Sequence, residues 1–390
     1  MRSLTGEGAR ETHRALSEIY PLEHIEVASG TEIFDWTVPP EWSVSEAHLT
    51  GPDGRRVIDI KNSPLHLVNY SEPFRGRVSR SELDEHLYSQ PERPDAIPYI
   101  TSYYARRWGF CLPHSLRTAL PDGDYEVTID TKLFPGSMTL SQAVIPGQTA
   151  QEVIISTYTC HPGMANDELS APIAMAILAR RIAGWRNRKL TYRFLFAPET
   201  IGTLAFLSTH VDHWRDNLLA GYVVSNIGYN DAVRYKKSKV GASLSDRAAL
   251  HVLEERSDVD LVSRDFFPTG SDERQYCAPG FDFPIGRISR CDLPFPNYHC
   301  SADRIETISD EAVIQTIDCV EQICRTLDGN VRYRNLKPFG EPQLGKYGLY
   351  PTIGEPGVRS MQINAMMWVL SFSDGDHDLL SISQRSGIAF

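Results

Sequence analysis

The sequence predicts an α/β protein with a mostly parallel central sheet flanked by helices, a small β-rich insertion, and a separate C-terminal helical unit. Three observations carry this expectation. From about residue 151, short apolar runs alternate with longer segments of helical periodicity. Residues 62–135 change texture and become rich in Pro, Tyr and Ser. After about residue 333 a Pro- and Gly-rich linker leads to two further apolar helical stretches. A strand–helix–strand rhythm supplies the crossovers that parallel neighbours require.

In chain order, Ala9, His13, Leu16 and Ile19 or Tyr20 fall at helical spacing and predict a first helix over 8–20. From 24 to 60 the pattern is short extended pieces, broken by Gly30, Pro39–Pro40 and the Asp53–Gly54 turn. Inside the insertion a helix is expected only over 79–88, where Ser79 and Glu82 stand at capping-box spacing. The larger domain then reads as strand 152–158, helix 171–185, strand 192–197, helix 201–214 and strand 221–225. A long helix over 310–328 follows, with Ala312, Val313, Ile317, Val320, Ile323 and Leu327 on its apolar face. The expected division is 1–61 with 136–332 as the larger domain, 62–135 as the insertion and 333–390 as the C-terminal unit.

Composition narrows the function classes. Of 390 residues, 41% are apolar and 23% charged, a globular balance that excludes disorder and fibrous repeats. Thirty-nine Lys and Arg against 50 Asp and Glu give a net charge of −11, which argues against a non-specific nucleic-acid or anionic-membrane surface. No apolar run reaches the roughly 18 residues of a membrane span. The charged, amphipathic N-terminus lacks the apolar region of a secretory signal. Seven scattered cysteines with no CxxC pair argue against a disulfide framework or a cysteine-only zinc site. The chain reads as soluble and cytoplasmic, and its composition is compatible with a homo-oligomer.

Ligands of open α/β sheets bind beyond the carboxyl ends of the strands, and the chemically able residues lie there. Strand 152–158 runs into Cys160, His161, Asp167 and Glu168. Strand 192–197 runs into Glu199 and Thr200. Further on come Asp272, Glu273, Arg274 and Tyr276, then His299 and Asp303. Histidines and carboxylates converging from several loops are what an open zinc site with a neighbouring general base requires. Each residue also has a plainer reading: His161 and His299 as ordinary loop histidines, Asp167 as a helix N-cap, Glu199 as a charge favouring a helix start, and Arg274 as the partner of Asp272 or Glu273.

Taken together, the motifs HPGMANDELSAP, PETIGT, GSDERQY and YHCSAD, in this order, resemble the zinc aminopeptidase and glutaminyl cyclase superfamily. The segments FDWTVPPEW, LHLVNYSEPF, IPYITSYYARRWGFC and LSFSDGDHDLLSISQRSGI are similar to a bacterial aminopeptidase-like branch with an inserted small β domain and a C-terminal winged helix. The resemblance spans nearly the whole chain. It implies a zinc-peptidase-like fold with His161, Asp167 and His299 as metal ligands and Glu199 as general base. Asp303 would orient a ligand and Asp272 would support the site. Tyr158 and Tyr276 are candidate oxyanion donors, and Glu273 and Arg274 candidate second-layer or substrate-binding groups, Arg274 through a substrate carboxylate. Cys160 and Cys300 read as packing residues beside the metal.

The chain also departs from the dinuclear members of that superfamily. Gly163 stands where they carry an Asp two residues after the first His, Thr200 replaces the second Glu, and Asn226-Ile227-Gly228 follows the third strand in place of an acidic ligand. Three remaining ligands favour one zinc per chain with an open water position. The expected function is zinc-dependent hydrolysis of an amino-acyl or peptide-like amide bond in a small-molecule substrate, within a biosynthetic pathway. Acyl transfer or cyclisation on the same site is the first alternative, and a non-catalytic metal-binding scaffold or regulator working through the winged helix is the second. The C-terminal unit has a helix-turn-helix cadence around a polar turn at 373–378. From Leu336 onward its four cations against five acids disfavour DNA, and an interaction or lid module is expected instead.

Overall fold

The structure, a computed structural model, describes residues 1–349 and 358–390; the part of the expected linker at 350–357 lies outside the described residues. The larger unit is built on eight strands: β1 (Glu23–Ala28), β2 (Ser137–Ile145), β3 (Glu152–Tyr158), β4 (Thr191–Ala197), β5 (Leu218–Val224), β6 (Val233–Lys236), β7 (Leu261–Arg264) and β8 (Ile285–Ser289). They form one mixed sheet in the order β1-β2-β4-β3-β5-β8-β6-β7. The centre, β4-β3-β5-β8, is parallel, while β2 against β4 and β8 against β6 are antiparallel.

Every residue of β3 and β4 is buried because both faces of the sheet are covered, which explains their apolar centres, Val153–Ile155 and Phe194–Ala197; the buried charges Glu152 and Arg193 pair with each other. Side chains alternate between two cores. Val153 and Ile155 face helices α2 (Ser170–Ala183) and α5 (Asp310–Gly329), while Ile154 faces α3 (Ile201–Asn217) with Phe206 and Trp214. Helices α1 (Glu7–Ile19) and α4 (Leu244–Glu255) complete the first layer. In mid-sheet, a Cβ on Gly221 would lie 2.4 Å from Ile154 Cγ2 and 2.6 Å from Ile285 Cδ1, so the strand can pass only as glycine.

The small β module departs from its expected limits. Strands Glu41–Thr50 and Arg56–Asp59, assigned from sequence to the larger domain, pair in one antiparallel sheet with Phe74–Ser79 and Asp124–Phe134. The strand pairing therefore favours a module that starts near residue 41 rather than 62. The helix expected over 79–88 stops early, as Arg80–Asp84, with Ser79 accepting from Glu82 N at 3.3 Å. Leu83 and Leu87 are both drawn into the core, and the chain turns at Glu85 into the short strand Leu87–Tyr88 to bury them.

At the C-terminus, helices Val358–Phe372 and Leu379–Ser386 flank the segment expected as a polar turn. Asp374–Asp378 is instead a strand, antiparallel to Arg332–Arg334, and forms the wing of the winged helix. In the strand register Arg332 stands opposite Asp378 and Arg334 opposite Asp374, while the side chain of Asp374 pairs with His377 at 2.8 Å. The unit docks on α4 through a bidentate pair, Arg247 Nη1 and Nη2 to Asp378 at 3.0 and 2.6 Å. No helix among the described residues is long and apolar enough to cross a membrane.

Candidate metal centre and cleft

The loops following β3, β4, β5 and β8 meet above the carboxyl end of the sheet. The turn after β3 delivers His161 and Asp167, and the loop after β8 returns His299; the candidate ligand atoms of the three lie within 4.8 Å of one another. Asp167 is 1% exposed. Its Oδ1 accepts from Tyr158 Oη and from Asn226 Nδ2, each at 3.1 Å. Its Oδ2 lies 3.1 Å from His299 Nε2 but has no hydrogen-bond partner. His161 Nδ1 lies 3.0 Å from Glu168 Oε2, and the His161 amide donates to Glu168 Oε1 at 3.1 Å. That carboxylate fixes the tautomer and leaves His161 Nε2 as the nitrogen for a metal.

Burial opposes the charge on Asp167, yet His161 and His299 hold its carboxyl well below the usual carboxylate range. Burial would likewise lower His161, but Asp167, Cys160 and Glu168 together hold it well above the usual imidazole range.

Asp303 braces the ligand loop from behind. Its two carboxylate oxygens accept from the amides of Asn166 and Asp167 at 2.7 and 2.8 Å. Asp272 does the same for the turn carrying Glu199, accepting from Thr200 N at 2.7 Å and Thr203 Oγ1 at 2.8 Å. Burial first, then the charge of Asp272, raises Glu199 to about 8; burial also raises Asp272 to about 6. Thr200, Asn226 and His299 all hold positive φ, between 52 and 65°, a conformation that side-chain-bearing residues adopt only where their surroundings impose it.

Three sequence-proposed residues fall elsewhere. Tyr276 is fully buried in the core, its hydroxyl donating to Ser156 Oγ at 2.9 Å, so it does not reach the cleft. Glu273 pairs with Lys236 at 2.6 Å rather than with Arg274. Arg274 donates from Nη2 to Thr200 Oγ1 at 3.5 Å, and its buried Nε has no hydrogen-bond partner. Tyr158 spends its hydroxyl on Asp167 and Asn226 Oδ1, so it orients the ligand rather than an oxyanion. All seven cysteines are free and buried, Cys160 and Cys300 among them.

Other residues of the site were given no role from sequence. Glu168 follows Asp167 directly, so adjacency was the available signal. Arg2 donates from Nε to the His161 carbonyl at 2.6 Å, a contact across 159 residues that no local pattern announces. Tyr99, from the insertion, stands edge-on to both histidine rings at 5.3 Å, held by its amide bond to the His299 carbonyl at 2.8 Å. Together with Leu4, Trp36 and Tyr103 it walls a cleft of about 250 Å³ that opens onto His161, Glu199 and His299.

Comparison with known proteins agrees with this architecture. A curated protein of Clostridium acetobutylicum is 40% identical over 389 residues, covering 100% of this chain and 89% of the relative; it carries the provisional description of a polysaccharide biosynthesis protein with an aminopeptidase-like domain. A crystal structure from the same organism, provisionally called a peptidase, matches with a TM-score of 0.91 at 38% identity over 100% of this chain and 88% of its own. The zinc aminopeptidase BSAP of Bacillus subtilis shares the fold with a TM-score of 0.62 at 12% identity, over 84% of this chain and 90% of its own. Residues 331–390 match the winged helix-turn-helix family. With residues 1–330 matching its profile, the chain belongs to the family described as a domain of unknown function (DUF4910), an aminopeptidase-like α/β unit here joined to a C-terminal winged helix.

Proposed function

We propose that this chain is a zinc-dependent hydrolase acting on an amino-acyl or peptide-like amide bond of a small-molecule substrate. The observation that carries this is Asp167 Oδ2: a buried carboxylate oxygen with no hydrogen bond, flanked by two imidazoles. Such an atom is costly unless a cation satisfies it. Two histidines and one carboxylate suit zinc, with a fourth position left for water. Bound there, one zinc would polarise a carbonyl and bring the pKa of its water to about 7. Gly163, Thr200 and Asn226 supply no further carboxylate, which favours a single metal.

Glu199 lies at the edge of the cleft, its carboxyl raised by burial and by the charge of Asp272; a bound cation would lower it again, and as carboxylate it would take a proton from an attacking water and return it to a leaving amine. Asp272 holds its turn in place, and Tyr99 closes one wall against bulk water. The cleft, of about 250 Å³, suits one amino-acyl-sized group beside the metal position. The description of the C. acetobutylicum relative supports an amide-bearing biosynthetic intermediate as the substrate. The docking of the winged helix through Arg247 and Asp378 supports a packing module rather than a DNA reader.

The test pairs metal analysis with a screen of amino-acid amides and short peptides. One zinc per chain and hydrolysis that Glu199→Gln abolishes are expected. A metal content near zero, or a Glu199→Gln variant with full turnover, would overturn the proposal.

A further inference from the structure

A second cavity, of about 330 Å³, lies beside the candidate metal centre and has a wall of unusual charge. Tyr298 forms the junction: it lines this cavity, stacks on His299 with ring centroids 3.7 Å apart, and lies close enough for its hydroxyl to feel Asp167, Glu199, His161 and Arg287. Four cations border it, Arg234, Lys236, Arg264 and Arg287. Three are compensated. Arg234 pairs with Asp231 at 3.0 Å, Arg264 with Asp292 at 2.9 Å, and Lys236 with Glu273 at 2.6 Å.

Arg287 is different. It is 5% exposed and has no carboxylate within 4.0 Å among the described residues. Its side-chain partners are neutral: Nε donates to Ser225 Oγ at 2.9 Å and Nη2 to Asn226 Oδ1 at 3.0 Å, leaving Nη1 for the cavity. A buried guanidinium without a counter-charge is expensive, and in a chain of net charge −11 a partner was compositionally available. Gly270 completes the geometry. A Cβ at that position, where φ is +123°, would lie 3.0 Å from Glu273 Oε1, 3.5 Å from Lys236 Nζ and 3.8 Å from Arg287 Nη1. Both nitrogens therefore border one small volume that glycine keeps open, shared with the Glu273 oxygen that pairs with Lys236, so Arg287 carries the uncompensated charge there.

We propose that this cavity receives an anionic group of the ligand, a carboxylate or a phosphate, held between Arg287 Nη1 and Lys236 Nζ while the scissile end lies at His299. The inference rests on the hydrolase reading only for the direction of the ligand; the anion site itself stands without it. Nη1 offers a charge-assisted donor to one oxygen of the anion, and the phenyl ring of Phe267, its centroid 3.8 Å from Lys236 Nζ, shields the ammonium from water.

The experiment is thermal melting and titration calorimetry of the full chain with inorganic phosphate and, separately, malonate, with metal content measured in the same samples. Saturable binding of either anion is expected, weakened about tenfold or more in Arg287→Met and restored in part by Arg287→Lys, as loss of a charge-assisted contact implies. Lys236→Gln is a second, independent variant and should weaken the same anion. Phosphate binding alone assigns a phosphate-bearing ligand and malonate binding alone a carboxylate. Binding of neither anion, or binding that Arg287→Met leaves unchanged because the anion sits on a metal, would overturn the proposal. Because zinc content is read independently, failure here leaves the metal reading standing.

Discussion

Asp303 offers the sharpest test of how this site is built. It ligates nothing in the candidate metal centre, yet its carboxylate holds the amides of Asn166 and Asp167 at 2.7 and 2.8 Å in a spot that is 1% exposed. Asp303→Asn keeps the shape but turns one acceptor into a donor facing an N–H. One buried amide then loses its partner, at a cost of about 1–3 kcal/mol. Asp303→Ala orphans both amides, about 2–6 kcal/mol by the same count. Asp167 is the residue whose backbone is released, so zinc affinity should fall about 10–100-fold, the usual effect of removing a group that orients a ligand. Urea unfolding reads the first effect as a shift in midpoint at constant slope. Competition with a chromophoric chelator reads the second. If Asp303→Asn unfolds within about 0.5 kcal/mol of the parent and binds zinc equally well, Asp303 does not brace the site. Should Asp303→Ala fail to fold, the Asn variant still decides.

Three further predictions follow from other parts of the molecule. Glu199→Gln should retain its zinc while losing about 10²–10⁴-fold in turnover, because it removes proton transfer and no ligand; loss of metal instead would make Glu199 a ligand. His13, buried on α1, is pushed down to about 3 by burial first and then by His24 and Arg2. The unfolded chain therefore binds the extra proton between pH 6.5 and 3, so this contribution is complete above 6.5 and is lost as pH falls. It amounts to about 2 kcal/mol at pH 5, and His13→Leu should shrink the pH 7.5-to-5 difference in urea stability by that amount; an unchanged difference would sink the assignment. Finally, Arg193 holds Glu152 through two bonds of 2.9 and 2.8 Å in the buried sheet. Arg193→Met should cost about 3–5 kcal/mol, and adding Glu152→Gln should recover part of it, since the damage lies in the unpaired charge; a double variant as unstable as the single one would contradict this.

Much of the architecture was legible because it is local. Strands β3 and β4 announce themselves by the apolar runs at their centres, and α2, α3 and α5 by helical periodicities, since burial on both sheet faces selects apolar residues there. The edge strands were harder: β6 and β7 are four residues each, and β2 carries Ser, Thr and Gln at buried positions that hydrogen bonding satisfies. The pairing of strand 41–50 with 124–134 was not legible because the two are far apart in sequence. Asp374–Asp378 read as a turn because its strand partner, Arg332–Arg334, lies some 40 residues earlier and the arginine that pairs with Asp378, Arg247, lies further still.

The sequence by itself determined the parallel α/β core, the winged-helix unit, and the set of histidines and carboxylates placed after strand ends, because strand and helix periodicity and motif order are properties of neighbouring residues. Only the tertiary structure decided which of these groups meet. It brought His161, Asp167 and His299 within reach of one another, sent Tyr276 into the core and Glu273 to Lys236, and recruited Arg2, Tyr99 and Glu168. The physical reason is that a side chain's role is set by what surrounds it across the fold. A buried carboxylate oxygen of Asp167 facing two imidazoles and an uncompensated guanidinium at Arg287 exist only once distant segments have closed around them.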